Sequence, residues 1–158
     1  MSKYSIPDGA RFVPIKFANR AGEINDLPPG RPVVLAALRH DPEHGSGPRT
    51  ISGYKAVYAL VDTGADNNYA TPELIQQAGC PQIGSGSIRS ANSWMGSTHH
   101  LAHIFFPEAG SQFETDIFSA PLTDSESTGQ NLVIGVLVIK MGRLVMDFKN
   151  HIYRLYVD

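Results

Sequence analysis

The run Ala59-Leu60-Val61-Asp62-Thr63-Gly64-Ala65-Asp66 constrains this chain more than any other, because an apolar, β-capable stretch ends there on a carboxylate followed at once by a turn glycine. Ionised carboxylates are rarely left in a protein interior without a partner, so a strand that emerges from the core must deliver Asp62 to a defined polar environment. The tripeptide Asp62-Thr63-Gly64 is uncommon: at average usage, with Gly about 7% and Asp and Thr each about 5%, it arises by chance in roughly 3% of chains of this length. A local explanation exists, since Asp before Thr-Gly also serves a strand-end turn through side chain to backbone bonds. The surrounding order of elements has to separate the two.

With 158 residues, 42% of them hydrophobic, the chain can build one core but not two comfortable domains. Fifteen glycines and eleven prolines against an 18% charged fraction point to many turns between short strands, hence an all-β class. A formal charge of −2 without clustered Lys or Arg lacks the electrostatic footprint of a nucleic-acid binder. Cys80 is the only cysteine and cannot form an internal disulfide, and the start Met1-Ser2-Lys3-Tyr4 lacks the apolar run of a signal peptide. No stretch approaches the roughly 20 apolar residues of a membrane helix. These features lead to the expectation of a soluble, cytoplasmic protein with neither nucleic acid nor membrane as partner.

Residues 1–31 carry one strand-like run, Arg11 to Phe17, and end in Leu27-Pro28-Pro29-Gly30; they read as an N-terminal arm. Pro14 removes a ladder donor and places that run at a sheet edge or against a partner chain. Residues 32–158 read as the domain proper. Pro32 to Arg39 and Ile51 to Val61 form a hairpin around a long polar loop, and the second strand leads into Asp62. Thr71-Pro72-Glu73 starts a short helix that Gly79 stops. Gly84-Ser85-Gly86-Ser87 reads as a flexible linker, and Ile88 to Ala91 with Thr98 to Phe106 form a hairpin tipped by Trp94, Met95 and Gly96. Phe113 to Pro121 is a further strand, and Thr123 to Gln130 a surface loop. Gly135 divides the apolar run Leu132 to Ile139 into a strand and a helical turn. The alternation of His151 to Val157 suits a final strand, whose edge would need a partner and is expected to pair between subunits.

This order of parts resembles the retroviral-type (retropepsin-like) aspartic proteases. The matching residues are Leu60 to Asp66, the Pro72-Glu73-Leu74-Ile75 segment, and Leu132-Val133-Ile134-Gly135 about seventy residues later, with a flap-like hairpin between them. The resemblance implies a closed barrel with one or two short helices, one catalytic Asp62 per subunit, and a homodimer acting on a peptide or protein substrate without a cofactor. Two Asp62 carboxylates would share one proton and activate a water. In the same frame Thr63 would bond across the dimer axis, Gly64 would give its amide to the carboxylate, and Ala65 would leave room beside substrate. Asp66, Trp94, Met95 and Gly96 would contact substrate, while Ile134 and Gly135 would pack under the catalytic loop. Residues 1–31 would be either a removable pro-segment or an added part of the dimer sheet. Val136 stands where retroviral members commonly carry an arginine that pairs with the acid at the Asp66 position.

Other readings stay open at this level. A retropepsin-type dimer with little or no activity would act as a peptide-binding or protein-binding module. His40, His44, His99, His100 and His103 could supply metal ligands, but no second cysteine or carboxylate stands at ligand spacing, so no metal is expected. There is no Gly-x-Ser-x-Gly elbow and no phosphate-binding Gly-Lys-Ser/Thr sequence.

Overall fold

The structure, a computed structural model, describes residues 5–89, 93–122 and 130–157. It is mostly β, with two short helices. In chain order the elements are β1 (Phe12–Pro14), β2 (Lys16–Ala18), β3 (Ile24–Asn25), β4 (Arg31–Arg39), β5 (Val57–Val61), β6 (Asn68–Ala70), α1 (Pro72–Ala78), β7 (Gln82–Arg89), β8 (Trp94–Phe106), β9 (Ser111–Ser119), β10 (Leu132–Ile134), α2 (Val136–Ile139), β11 (Arg143–Asp147) and β12 (Ile152–Tyr156). A nine-stranded sheet runs β3-β2-β4-β5-β10-β6-β9-β8-β7, and a three-stranded sheet runs β1-β12-β11. Within the larger sheet β4 pairs on one side with β5 and, over Ala37–Arg39, with β8. The pairs β5–β10 and β6–β9 are parallel.

Side-chain alternation on three adjacent strands creates the two faces that matter for function. Val34 and Ala36 on β4, Ala59 and Val61 on β5, and Leu132 and Ile134 on β10 enter the main core. Their neighbours Val33, Leu60 and Val133 point the other way and form a second, smaller apolar cluster with Ala18. Because both faces are covered, these strands are apolar throughout instead of alternating with polar residues. Leu60 and Val133 of the second cluster become the floor of a cleft, with Val33 and Ala18 buried behind them.

The N-terminal run is not one strand. It breaks at Ile15, whose N–H donates to the Tyr153 carbonyl at 3.0 Å, so that β1 joins the small sheet and β2 the large one. Val13, Ile15 and Phe17 are all in the main core, which ties residues 12–18 to the body of the fold. Pro14 lies on β1, an edge strand, where a missing donor costs no ladder bond.

Three expectations are corrected and one strand is added. Gly84 to Ser87 are not a linker but part of β7, paired residue by residue with β8; ladder bonds need only backbone, and this flank of the hairpin is largely solvated, so small side chains suffice. Regular pairing on the Asp62 strand begins only at Val57, and residues 51–56 are irregular. β6 was not expected from so short a segment. The final strand β12 lies between β1 and β11, hydrogen-bonded on both sides, so the free edge that argued for intersubunit pairing does not exist; β1 and β11 are the edges. The loop 123–129 and the hairpin tip residues 90–92 lie outside the described residues.

The helices follow their sequence signals. Thr71 caps α1 by accepting the Leu74 N–H at 3.3 Å, and Gly79 ends it in the left-handed region at φ 69°. α2 is a single turn launched from Gly135.

Candidate active site

Asp62 follows the last residue of β5 and is fixed on three sides. Its N–H donates to the Ile134 carbonyl at 3.0 Å, extending the parallel β5–β10 pairing by one residue. Its own carbonyl accepts the Ala65 N–H at 3.2 Å, closing a tight turn. Its Oδ1 accepts the Gly64 N–H at 2.9 Å. A side chain on Gly64 would begin 3.2 Å from that same oxygen, so glycine keeps the amide close to the carboxylate. The carboxylate is half-buried, with Thr63 and Gly64 exposed beside it. Thr63 directs no side-chain bond to any described residue.

The loop rests on Gly135 and Asn68. A Cβ on Gly135 would strike the carbonyl oxygens of Asn67 and Ala65, so only glycine allows β10 and the Asp62 loop to approach this closely. Directly afterwards the Val136 N–H donates to the Ala65 carbonyl at 2.8 Å. Asn68 is fully buried at 0% exposure. Its Oδ1 accepts the Gly135 N–H at 2.9 Å, and its Nδ2 donates to Thr115 Oγ1 at 2.9 Å, joining the loop, the β10 end and β9. Asn68 was not among the residues expected at the site; its signal in the sequence is an amide six residues after Asp62, at the start of a short strand.

Asp62 opens into a cleft of about 900 Å³. Leu60, Val133, Tyr69 and Leu122 supply its apolar lining, Asp62, Asp66, Arg31 and Arg89 its charged groups, and Trp94 and Met95 the side nearest the β7–β8 hairpin tip. Of the residues expected at the site, Asp62, Gly64, Ala65, Asp66, Trp94 and Met95 line this cleft. Gly96 instead pairs with Ser87 within the hairpin, and Ile134 is fully buried beneath the loop. Trp94 is 69% exposed and is therefore no part of the core. Asp66 has no ion pair among the described residues, and Val136 is solvent-exposed. Arg31 and Arg89 were not singled out from the sequence either, although Arg31 precedes Val33, buried behind the floor, by two positions on one strand.

The histidines lie elsewhere. His99 stacks on Phe118 with ring centroids 4.5 Å apart, and His100 bonds the Cys80 carbonyl and Thr98 at 2.9 and 2.8 Å. His103 is buried; its Nδ1 accepts the Asp41 N–H at 2.9 Å and its Nε2 faces Glu114 at 3.4 Å. Among the described residues no group of three or more His, Cys, Asp or Glu is arranged to hold a metal ion.

No protein-family model matches the chain, and no curated protein matches it. Among solved structures it is similar to a retropepsin-like aspartic protease from Rickettsia conorii, at 14% identity and a TM-score of 0.48, over 93% of this chain and 91% of that one.

Proposed function

We propose that this chain is one subunit of a homodimeric aspartic endopeptidase of retropepsin-like fold, with Asp62 as its catalytic residue. The observation that carries the reading is Asp62 itself: a half-buried carboxylate, one oxygen held by the Gly64 amide, opening into a cleft with an apolar floor. The double pairing of β4, with β5 and with β8, supports a closed barrel beneath that cleft. Residues 1–31 remain part of the working domain, because their loss would strip Val13, Ile15 and Phe17 from the core.

One Asp-Thr-Gly loop supplies half of the chemistry. A second copy brings its own Asp62 to within about 3 Å, where two like charges cannot both ionise at low cost, and the pair retains one proton. The ionised carboxylate takes a proton from a water as its oxygen bonds to the scissile carbonyl carbon. The protonated carboxylate gives its proton to the carbonyl oxygen, producing a neutral tetrahedral diol. Collapse of the diol breaks the C–N bond as one diol hydroxyl gives its proton to the now ionised carboxylate and the protonated carboxyl passes its proton to the leaving nitrogen, which yields the acid and the amine and restores the one-proton pair. Thr63, exposed beside Asp62, bonds across the dimer axis in this reading, and Trp94 and Met95, which line the cleft, close over the peptide. The titration belongs to the pair and not to either Asp62.

A peptide-library digest of wild type and Asp62→Asn, each sized by light scattering, tests the reading. Cleavage by wild type alone, with both proteins dimeric, supports it; unchanged cleavage by Asp62→Asn removes the dyad. Tight peptide binding by wild type with no cleavage from acid to neutral pH would make the protein a binding module instead.

A further inference from the structure

Resting on the peptide-cleft reading above, we infer that Arg31 and Arg89 make this cleft selective for peptides carrying a carboxylate side chain beside the apolar residues that cover its floor. Both arginines line the cleft. Neither has a side-chain hydrogen bond or ion pair among the described residues, although Asp62 and Asp66 line the same space. Arg31 shares a strand face with Val33, which is buried against the floor residues Leu60 and Val133, and it lines the cleft beside them. Arg89 is the last residue of β7, directly paired with Trp94 across the hairpin. One guanidinium therefore belongs to the floor and the other to the lid.

The physical argument concerns what happens when a peptide fills the cleft. In the open cleft water solvates both guanidiniums. A bound peptide displaces that water, and a cation left unpaired under a peptide loses solvation without compensation. Asp62 cannot serve as the counter-charge without leaving the reacting position, and among the described residues Asp66, although it lines the same cleft, pairs with neither arginine. A substrate Asp or Glu restores the balance, and the planar guanidinium binds a carboxylate through two parallel bonds. Arg31 is partly buried and Arg89 exposed, so the two arginines are unequal. Arg31 provides discrimination in the bound state, whereas Arg89, screened by solvent, mainly steers acidic peptides towards the cleft.

The test uses full-length Asp62→Asn, which separates binding from turnover, and a fluorescent peptide set with an apolar centre and either Glu or its neutral isostere Gln at each flanking position. At one or more positions the Glu peptide binds about tenfold tighter than its Gln twin, a preference that shrinks as salt is raised. Arg31→Gln abolishes the preference, Arg31→Lys restores part of it, Arg89→Gln weakens it by only about twofold to threefold, and Arg20→Gln, an exposed turn substitution, leaves it intact. Circular dichroism confirms that each variant is folded. Equal binding of Glu and Gln peptides overturns the inference while leaving the peptide-cleft reading in place. A preference that survives both Arg31→Gln and Arg89→Gln overturns it too, and failure to bind any peptide removes both.

Discussion

Replacing Asn68 by alanine tests whether the candidate catalytic loop is held by a buried side-chain bridge. Asn68 is fully buried; its Oδ1 accepts the Gly135 N–H at 2.9 Å and its Nδ2 reaches Thr115 Oγ1 at 2.9 Å and, more weakly, the Asp116 carbonyl at 3.4 Å. Alanine leaves the Gly135 N–H without a partner, at about 1–3 kcal/mol. Thr115 suffers less, because its hydroxyl also donates to the Asp116 carbonyl at 3.3 Å. Adding the vacated volume and the second bond, the loss is about 2–4 kcal/mol. For a domain of this size that lowers Tm by roughly 5–15 °C. Asn67→Ala removes the same atoms from a half-buried neighbour and should cost less than about 1 kcal/mol. Urea denaturation of the three proteins, read by tryptophan fluorescence and by circular dichroism, measures the difference. Asn68→Ala with a midpoint indistinguishable from wild type would show that the bridge contributes nothing and that the loop is held by other contacts.

Two further outcomes follow from buried titratable groups. Burial lowers the pKa of His103, with the nearby His44 and His40 adding to the effect and the hydrogen bond to Glu114 opposing it. Its Nδ1 must stay unprotonated to accept the Asp41 N–H, beside a cluster that also holds Arg39, Arg49 and Gln112. A histidine with a folded pKa below its unfolded value of about 6.5 contributes stability that is complete above that value and lost as pH falls through the folded pKa. Tm should therefore drop as pH falls below about 6.5, and His103→Gln should flatten that slope; an equally steep slope in the variant would remove His103 as its source. The Cys80 thiol, pushed up to about 11 by burial, should resist iodoacetamide at neutral pH in the folded protein and react once urea unfolds it. Rapid labelling of the native protein would contradict the burial.

The parts of the fold that were legible before the structure are those where local chemistry and tertiary demand agree. Thr71 and Gly79 bracket α1 because capping and left-handed geometry need those residues wherever the helix packs. Gly135 divides strand from helix because the Asp62 loop passes so close to it. What was not legible depends on partners distant in the chain. Gly84 to Ser87 have linker composition, yet β8 supplies a complete backbone ladder, and nothing in four small residues announces it. The His151 to Val157 alternation correctly marks a strand, but its place between β1 and β11 is a matter of topology. At the site, Asp62 and its Gly64 amide follow from adjacent residues. Asn68 and Arg31 do not, because their tasks are set by Gly135 and by the Leu60 and Val133 floor, which come together only in three dimensions.

The central claim is that two copies of Asp62 act together, and a mixing experiment tests it most directly. Wild-type protein, in a peptide-cleavage assay, is exchanged with increasing amounts of Asp62→Asn at constant total concentration. If the site is shared, cleavage falls with the square of the wild-type fraction, since every mixed dimer holds one carboxylate and one amide and is inactive. A fall in simple proportion to the wild-type fraction would show that each chain works alone and would contradict the account.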